Sequence, residues 1–222
     1  MAKFEYVQPN DGTKLIRTAD LAAVADGLRQ GSLAILPTET GYLLAALATA
    51  VPAVERAFRV KRRDFAKVMH VACSSLSMAA RAGQISPPAR RLLGQFTPGP
   101  LSVIVNKTGL LPDRLVTVNH TVGLRIPDHP ATLQVISEVG SPVTATSLNE
   151  SGSAPGALNS FDLDSLDWSA GGKVVFVVPD DAAIRYPAAS TLVRVTGDEP
   201  EVLREGPVTR AEIRRLADGG DS

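Results

Sequence analysis

Four cationic side chains lie within the seven residues 61–67, although the whole chain carries no formal net charge. Lys61, Arg63 and Lys67 are separated by two and four positions, and Arg62 is the member that we expect to face solvent. Guanidinium forks and lysine point charges together supply the several donors that a triphosphate needs. The segment therefore predicts phosphate binding, although a solvated basic turn at the end of a helix would have the same composition.

Two polar segments elsewhere in the chain could complete an anion site with these cations. Residues 36–42 read as an apolar strand that runs into a polar turn, and residues 146–152 read as a second strand that ends in hydroxyls. The sequence lacks the P-loop, the dinucleotide fingerprint and the nucleophile elbow. Its histidines, at 70, 120 and 129, fit no zinc spacing. Phosphate binding is therefore argued from the cations and the two strand ends alone.

The bulk composition narrows the class of protein. The chain has 222 residues, and its 23 Lys and Arg residues balance its 23 Asp and Glu residues, so the molecule as a whole does not attract nucleic acid or membranes. The single cysteine, Cys73, excludes an internal disulfide and reads as a small buried hydrophobe. The N-terminus has no apolar signal core, and no apolar run reaches the roughly 18 residues of a membrane span. We expect a cytoplasmic protein without a membrane partner.

Strands and helices alternate along the chain without repeats or a clear linker. Thr18 is the predicted N-cap of the first helix and Gly31 its end. Further helices are predicted at 52–60, 75–82, 87–96, 130–140 and 209–217, and strands at 33–36, 68–73, 101–106, 122–126, 142–147, 174–178, 192–195 and 202–204, after a short edge strand within 1–17. Residues 107–119 and 148–160 read as loops. This pattern predicts one α/β domain over residues 1–222, with a mixed sheet because the last two strands form a hairpin.

An ordered series of short motifs runs through the chain. The motifs are Pro37-Thr38-Glu39-Thr40, Lys61-x-Arg63-x-x-x-Lys67, Pro98-Gly99-Pro100-Leu101, Gly123-Leu124-Arg125-Ile126-Pro127-Asp128-His129-Pro130, Ser147-x-Asn149-x-Ser151-Gly152, Ser190-Thr191 and Arg204-x-Gly206. Each is weak alone, but the ordered set resembles the YrdC/YciO family, whose best-known members are threonylcarbamoyl-AMP synthases. The resemblance covers roughly residues 15–208. It implies a single α/β domain whose twisted mixed sheet and flanking helices surround a positively charged cavity.

The resemblance also implies a reaction. Family synthases join L-threonine, bicarbonate or carbon dioxide, and ATP into threonylcarbamoyl-AMP and pyrophosphate, so the protein is expected to be a nucleotidyltransferase. Mg²⁺ is expected with ATP, and no residue of the chain is predicted as a metal ligand. The expected partner is the transferase machinery that modifies tRNA with the threonylcarbamoyl group, and contact with tRNA or double-stranded RNA is a further expectation.

Roles for individual residues follow from the resemblance. The ATP phosphates and the leaving pyrophosphate are expected to be stabilised by the cations of the 61–67 segment, which makes catalysis a matter of positioning and electrostatics. Arg125 is expected to pair bidentately with the threonine carboxylate. The full set of expected site residues is Lys61, Arg63 and Lys67 for catalysis and ATP, Thr121, Ser147, Asn149 and Arg204 for ATP, and Thr40, Tyr42, Arg125 and Ser190 for threonine.

Several positions depart from the pattern of the family synthases. Gly41 precedes Tyr42, whereas the synthases place glycine after the tyrosine; the YciO branch shares the order seen here. Asp64 stands where proline is common, and Val68-Met69 where Pro-Leu is usual. The histidine that usually contacts threonine would fall at Ala72. His70 lies two residues earlier on the same strand face, so it could reach the same cavity and leave room over Ala72.

These departures leave three interpretations. The first is a threonylcarbamoyl-AMP synthase. The second is a YciO-like homologue that binds nucleotide or RNA with weak or no synthase activity. The third is a carbamoyl-adenylate activity on another acceptor.

Overall fold

A computed structural model describes residues 5–7, 14–148, 167, 174–180, 182, 184–186 and 188–218. Residues 149–160, which include Asn149 and all but the first residue of the loop predicted over 148–160, lie outside these residues.

The described part of the chain contains twelve strands and six helices. The strands are β1 Glu5–Val7, β2 Lys14–Arg17, β3 Leu33–Thr38, β4 Gly41–Ala45, β5 His70–Ala72, β6 Leu101–Asn106, β7 Thr117–Val118, β8 Thr121–Arg125, β9 Val143–Ser147, β10 Val174–Val177, β11 Thr191–Arg194 and β12 Glu201–Arg204. The helices are α1 Leu21–Arg29, α2 Val51–Val60, α3 Leu76–Ala82, α4 Pro87–Phe96, α5 Pro130–Val139 and α6 Arg210–Asp218.

All twelve strands belong to one sheet. Its order is β1-β2-β10-β3-β4-β9-β5-β8-β6-β11-β12, and β7 pairs with β8. The pairs β2/β10, β10/β3, β5/β8 and β6/β11 are parallel and the others are antiparallel. The predicted mixed α/β fold is confirmed, including the terminal hairpin of β11 and β12.

The two faces of the central strands differ in burial. Val71, Val103 and Leu124 are fully buried on one face, the face against which α3 and α4 pack. Side chains alternate along a strand, so His70 and Arg125 lie on the opposite face. Both remain partly exposed there. The sheet therefore presents one covered face and one partly open face.

Capping residues, proline and glycine account for the ends of α5 and for the start of α1. Pro130 opens α5, and Gly140 ends it in the left-handed conformation with φ 73°. The predicted N-cap at Thr18 is wrong: Asp20 caps α1, since its carboxylate accepts from the backbone of Ala23. Thr18 instead accepts a hydrogen bond from the backbone of Asp20 at 2.8 Å.

Cys73 lies just after β5 and is buried. Burial raises the pKa of its thiol to about 12, so the thiolate required of a nucleophile is not available at neutral pH. This agrees with its interpretation as a small hydrophobe. Among the helices that the structure describes, none has the length and apolar character needed to cross a bilayer.

Candidate functional site

Glu39 holds Arg125 in place on the open face of the sheet. Arg125 Nη2 donates to Glu39 Oε1 at 2.8 Å and to Thr40 Oγ1 at 2.6 Å. The second carboxylate oxygen of Glu39 accepts from the backbone of Asp128 at 2.8 Å, and Glu39 is fully buried. The structure therefore brings together Arg125 and Thr40, two residues predicted for threonine. Glu39 stands in one of the family motifs, but no role was predicted for it, although an acidic side chain between two threonines was a usable signal.

Ser190 and Arg204 meet on the other side of Arg125. Arg204 donates from Nε and Nη2 to the carbonyl of Ser190, at 3.2 and 2.8 Å. The hydroxyls of Ser190 and Ser102 lie 2.9 Å apart, and Ser102 is the residue of β6 that pairs in register with Arg125. Ser102 thus links two predicted site residues. It was missed because one hydroxyl in an apolar strand carries little signal.

Position 206 of the Arg204-x-Gly206 motif has no space for a side chain. A Cβ atom at this position would lie 2.3 Å from the carbonyl oxygen of Ala189 and 2.8 Å from the backbone nitrogen of Thr191. Contacts this short are not tolerated, so only glycine lets the chain after β12 lie against Ser190. The glycine therefore helps to keep Arg204 beside Ser190.

Residues 61–67 follow α2 and form a loop, called here the cationic loop, in which the Arg63 side chain contacts nearby backbone carbonyls. Arg63 donates from Nε to the carbonyl of Lys67 at 3.1 Å and from Nη2 to that of Val68 at 2.7 Å. Lys67 itself is exposed. Asp64, which replaces the proline of the family pattern, closes the turn by accepting from the backbone of Ala66 at 2.9 Å.

Arg62 faces solvent, as predicted. It is exposed, has a φ of 47° and lies 3.5 Å from the carboxylate of Asp167. It therefore offers a natural control for its neighbours.

Lys61 is buried and connects the cationic loop to β9. Its Nζ donates to the carbonyl of Ser147, and only 2% of the residue is exposed. Burial and, secondarily, the nearby charge of Arg63 lower the pKa of Lys61 to about 7. Lys61 and Ser147, both predicted to bind ATP, are therefore in contact, and the contact uses the backbone carbonyl of Ser147.

His70 lies on the open face of the sheet. Its ring packs on Gly123, where a Cβ atom would lie 2.4 Å from the imidazole. Burial and the charges of Arg204, Arg63 and Arg125 lower the pKa of His70 to about 4, so the ring is neutral at neutral pH. The positive charges of arginines from three distant segments therefore act on one neutral imidazole.

These three arginines keep unused donors. Among the described residues, neither Arg63 nor Arg204 forms an ion pair with a carboxylate, and Nη1 of Arg63, Arg125 and Arg204 has no hydrogen-bond partner. Arg125 Nε is also buried without a partner within this part of the chain. Donors held in place without acceptors are suited to anionic ligands.

The expected room over Ala72 is not present. Ala72 pairs in register with Arg125 and is fully buried. A histidine side chain there would have to displace neighbouring atoms. On β5, the fold therefore accommodates an imidazole at position 70 but not at position 72.

Tyr42 and Thr121 make different contacts in the described part of the chain. Tyr42 neighbours Leu43, the residue that pairs with Ser147, so it lies on the opposite face of the sheet. Its hydroxyl accepts from the backbone of Asp180 at 2.8 Å. Thr121 shares the face of Arg125, four residues along β8, and its hydroxyl donates to the carbonyl of Val118 at 2.7 Å.

Metal-binding side chains do not cluster in the described ranges. No group of three or more His, Cys, Asp or Glu residues there lies close enough to hold an ion. Glu39, the carboxylate that pairs with Arg125, already accepts from Arg125 and from the backbone of Asp128.

Known proteins are similar to this chain in sequence and in fold. Threonylcarbamoyl-AMP synthase of Bacillus subtilis is 32% identical over 211 residues, which are 93% of this chain and 59% of that protein. YciO of Escherichia coli is 27% identical over 208 residues, which are 93% of this chain and 96% of that protein. The crystal structure of Pyrococcus abyssi Sua5 complexed with L-threonine matches with a TM-score of 0.77 and 27% identity, covering 91% of this chain and 59% of that one.

The chain thus spans 59% of the length of both the Bacillus synthase and the Pyrococcus Sua5 chain. The sequence profile Sua5_yciO_yrdC, described as telomere recombination, matches residues 26–206. The match covers the cationic loop, the β8 arginine and the terminal hairpin. The chain therefore belongs to the Sua5/YciO/YrdC family.

Proposed function

We propose that this protein is an L-threonylcarbamoyladenylate synthase, which forms threonylcarbamoyl-AMP and pyrophosphate from L-threonine, bicarbonate or carbon dioxide, and ATP. The main support is a set of three arginines, Arg63, Arg125 and Arg204, whose charges act on a neutral His70 and which each keep a free donor in the described structure. Such an arrangement suits ligands that carry negative charge at separate points, as ATP and an amino acid do together. The product would pass to a threonylcarbamoyl transferase that modifies tRNA.

We assign threonine to the side of the site formed by Arg125, Thr40 and Ser190. Its carboxylate binds Nη1 of Arg125, while Glu39 holds the guanidinium in position. A bidentate pairing also needs Nη2, which Thr40 releases when its hydroxyl turns from Arg125 to the substrate. The Ser190 hydroxyl, positioned by Ser102, completes the recognition of the threonine amine or hydroxyl.

We assign the phosphates of ATP to Lys61, Arg63 and Lys67. The threonine amine adds to carbon dioxide and loses a proton, which gives a carbamate. A carbamate oxygen then attacks the α-phosphorus, and the bond from that phosphorus to the bridging oxygen of the leaving pyrophosphate breaks. The cations stabilise the charge that develops on pyrophosphate, so no protein nucleophile is required. Thr121, Ser147, Asn149 and Arg204 are assigned to the rest of the nucleotide.

Mg²⁺ is assigned to the substrate. Magnesium commonly binds through substrate phosphates and water, with few protein ligands. Because the carboxylate of Glu39 is already used by two donors, we expect the ion to arrive with ATP. No step above depends on a protein ligand to the metal.

The reaction is tested by measuring pyrophosphate release. With magnesium and ATP, release should require both threonine and bicarbonate, and threonylcarbamoyl-AMP should be identified by mass spectrometry. Release that ignores threonine would point to the activity on another acceptor. No release at any enzyme concentration, with ATP binding intact, would exclude synthase activity.

The turn at Gly41 favours a second candidate, a YciO-like homologue that binds nucleotide or RNA with weak or no synthase activity. Gly41 has a φ of 117°, a conformation that side-chain-bearing residues rarely adopt. Its carbonyl accepts from Thr38 Oγ1 at 2.6 Å, beside Thr40. The glycine order shared with YciO therefore alters the backbone under the threonine side of the site. Nucleotide or RNA binding without threonine-dependent pyrophosphate release would support this candidate.

Replacing Arg63 or Lys67 by alanine should weaken ATP binding by about 10- to 100-fold, because a charge-assisted contact contributes about 1.5–3 kcal/mol. Arg62→Ala is the matched control and should change ATP affinity little, since Arg62 faces Asp167. Isothermal titration with ATP measures all three. Equal losses in Arg62→Ala and Arg63→Ala would contradict this orientation of the loop.

Replacing His70 by alanine should raise the threonine concentration needed for half-maximal activity and leave ATP affinity nearly unchanged. The ring shares the open face with Arg125, where threonine is assigned, and it is neutral. Titrations of threonine and of ATP in parallel measure the two effects. Because Ala72 is fully buried, moving the imidazole with His70→Val and Ala72→His should not restore the wild-type requirement. Identical threonine dependence in wild type and His70→Ala would exclude a role for the ring.

A further inference from the structure

Phe65 exposes an aromatic ring within the cationic loop. The residue is 49% exposed, the highest value among the exposed large hydrophobic residues of the described chain. Its ring stacks on Phe58 of α2, with 5.2 Å between centroids and an angle of 9° between the planes. Phe58 is fully buried. A ring that is exposed yet backed by a buried ring has a fixed position and an open surface.

Arg63 of the cationic loop also lies near the ring of Phe58. The guanidinium carbon of Arg63 lies 6.0 Å from the centroid of Phe58, so Arg63 and Phe65 contact one ring. Lys67 follows Phe65 by two residues and is exposed. An aromatic surface beside phosphate-binding cations is the combination by which proteins bind nucleotides, because the ring stacks on the base and the cations contact the phosphates.

We propose that the exposed surface of Phe65 stacks on the adenine base of the ATP whose phosphates bind Arg63 and Lys67. The inference rests on the proposed function, and it adds a base-binding contact to the phosphate contacts. ATP is favoured over an RNA strand because a single ring offers space for one base. The chain's balanced charge also gives no net electrostatic attraction to a longer phosphate backbone.

The test distinguishes binding of the adenine base from binding of the phosphates. Phe65→Leu keeps an apolar side chain on Phe58 but removes the ring, and loss of a stacked base costs about 1–3 kcal/mol, or about 5- to 150-fold in affinity. The variant should therefore bind ATP at least about fivefold more weakly and bind inorganic tripolyphosphate as the wild type does. Phe65→Tyr keeps the ring and should bind ATP normally. Titration calorimetry without threonine or bicarbonate measures each affinity, and the melting temperature checks folding.

Three results would overturn the proposal. Unchanged ATP affinity in Phe65→Leu would exclude stacking on adenine. An equal loss of ATP and tripolyphosphate affinity would mean that the loop itself is disturbed. Loss of binding to a tRNA with ATP binding intact would assign the ring to RNA. Because these measurements require no turnover, they succeed or fail independently of the pyrophosphate assay.

Discussion

Replacing Arg125 by alanine should lower the free energy of unfolding by about 3–5 kcal/mol, because it leaves one member of a buried ion pair without its partner. Glu39 is fully buried, and Arg125 is the cation that contacts it at 2.8 Å. The backbone of Asp128 would then be the remaining described donor to that carboxylate. Urea unfolding, followed by circular dichroism, measures the change.

A second substitution tests the cause. Adding Glu39→Gln to Arg125→Ala removes the buried charge, so the double variant should recover much of the lost stability. If the double variant is as unstable as Arg125→Ala, the loss comes from packing and not from the uncompensated carboxylate. Arg125→Lys keeps a cation for Glu39 but loses the planar fork. It should therefore retain most of the stability and still require at least about tenfold more threonine, which corresponds to about 1.4 kcal/mol.

ATP affinity should fall as the pH rises above 7, by up to about tenfold per pH unit and by at most about 50-fold from pH 7 to 9, because Lys61 is already about half deprotonated at pH 7. Lys61 has a pKa of about 7 in the free protein because it is buried and lies near Arg63. A bound triphosphate favours the protonated amine and raises that pKa. Between the free and bound pKa values, binding takes up a proton, so removing protons weakens binding. His70 does not add to this trend, because its pKa of about 4 keeps it neutral throughout.

Lys61→Met is the matched control, because it keeps an unbranched side chain and removes the titrating amine. The variant should bind ATP more weakly at pH 7 and lose the part of the pH dependence that Lys61 contributes. Calorimetry in buffers of different ionisation enthalpy measures the proton uptake directly. The same proton uptake at pH 8 in wild type and Lys61→Met would show that Lys61 does not titrate on binding.

The sequence predicts the elements better than their contacts. Leu101–Asn106 and Pro87–Phe96 were predicted with the observed bounds, because proline and alternating apolar residues mark them locally. β4 was missed, since Gly41 and the preceding threonines resemble a turn although all five strand residues are buried. The two-residue strand β7 lay within a predicted loop. Thr and Asp are both common N-cap residues, so the sequence near α1 offers both Thr18 and Asp20 as candidates. Thr18 was the wrong one of the two.

The candidate site follows from pairing between distant strands, which local patterns do not encode. The cationic loop could be read from its composition. The contact of Arg125 with Glu39 joins residues 86 positions apart, and that of Ser102 with Ser190 joins residues 88 positions apart. Such contacts depend on strand order and register. The roles assigned to these residues remain predictions until the variants above are measured.

The placement of β10 has a consequence for how the chain assembles. This strand inserts between β2 and β3, pairing in parallel with both. During synthesis from the N-terminus, β1 and β2 have no route into the sheet until residues 174–177 have left the ribosome. Contacts of such long sequence separation slow folding and expose strand edges in the meantime. We therefore expect nascent chains that end before β10 to keep an unpaired edge on β3 and to depend on chaperones more than the full chain does.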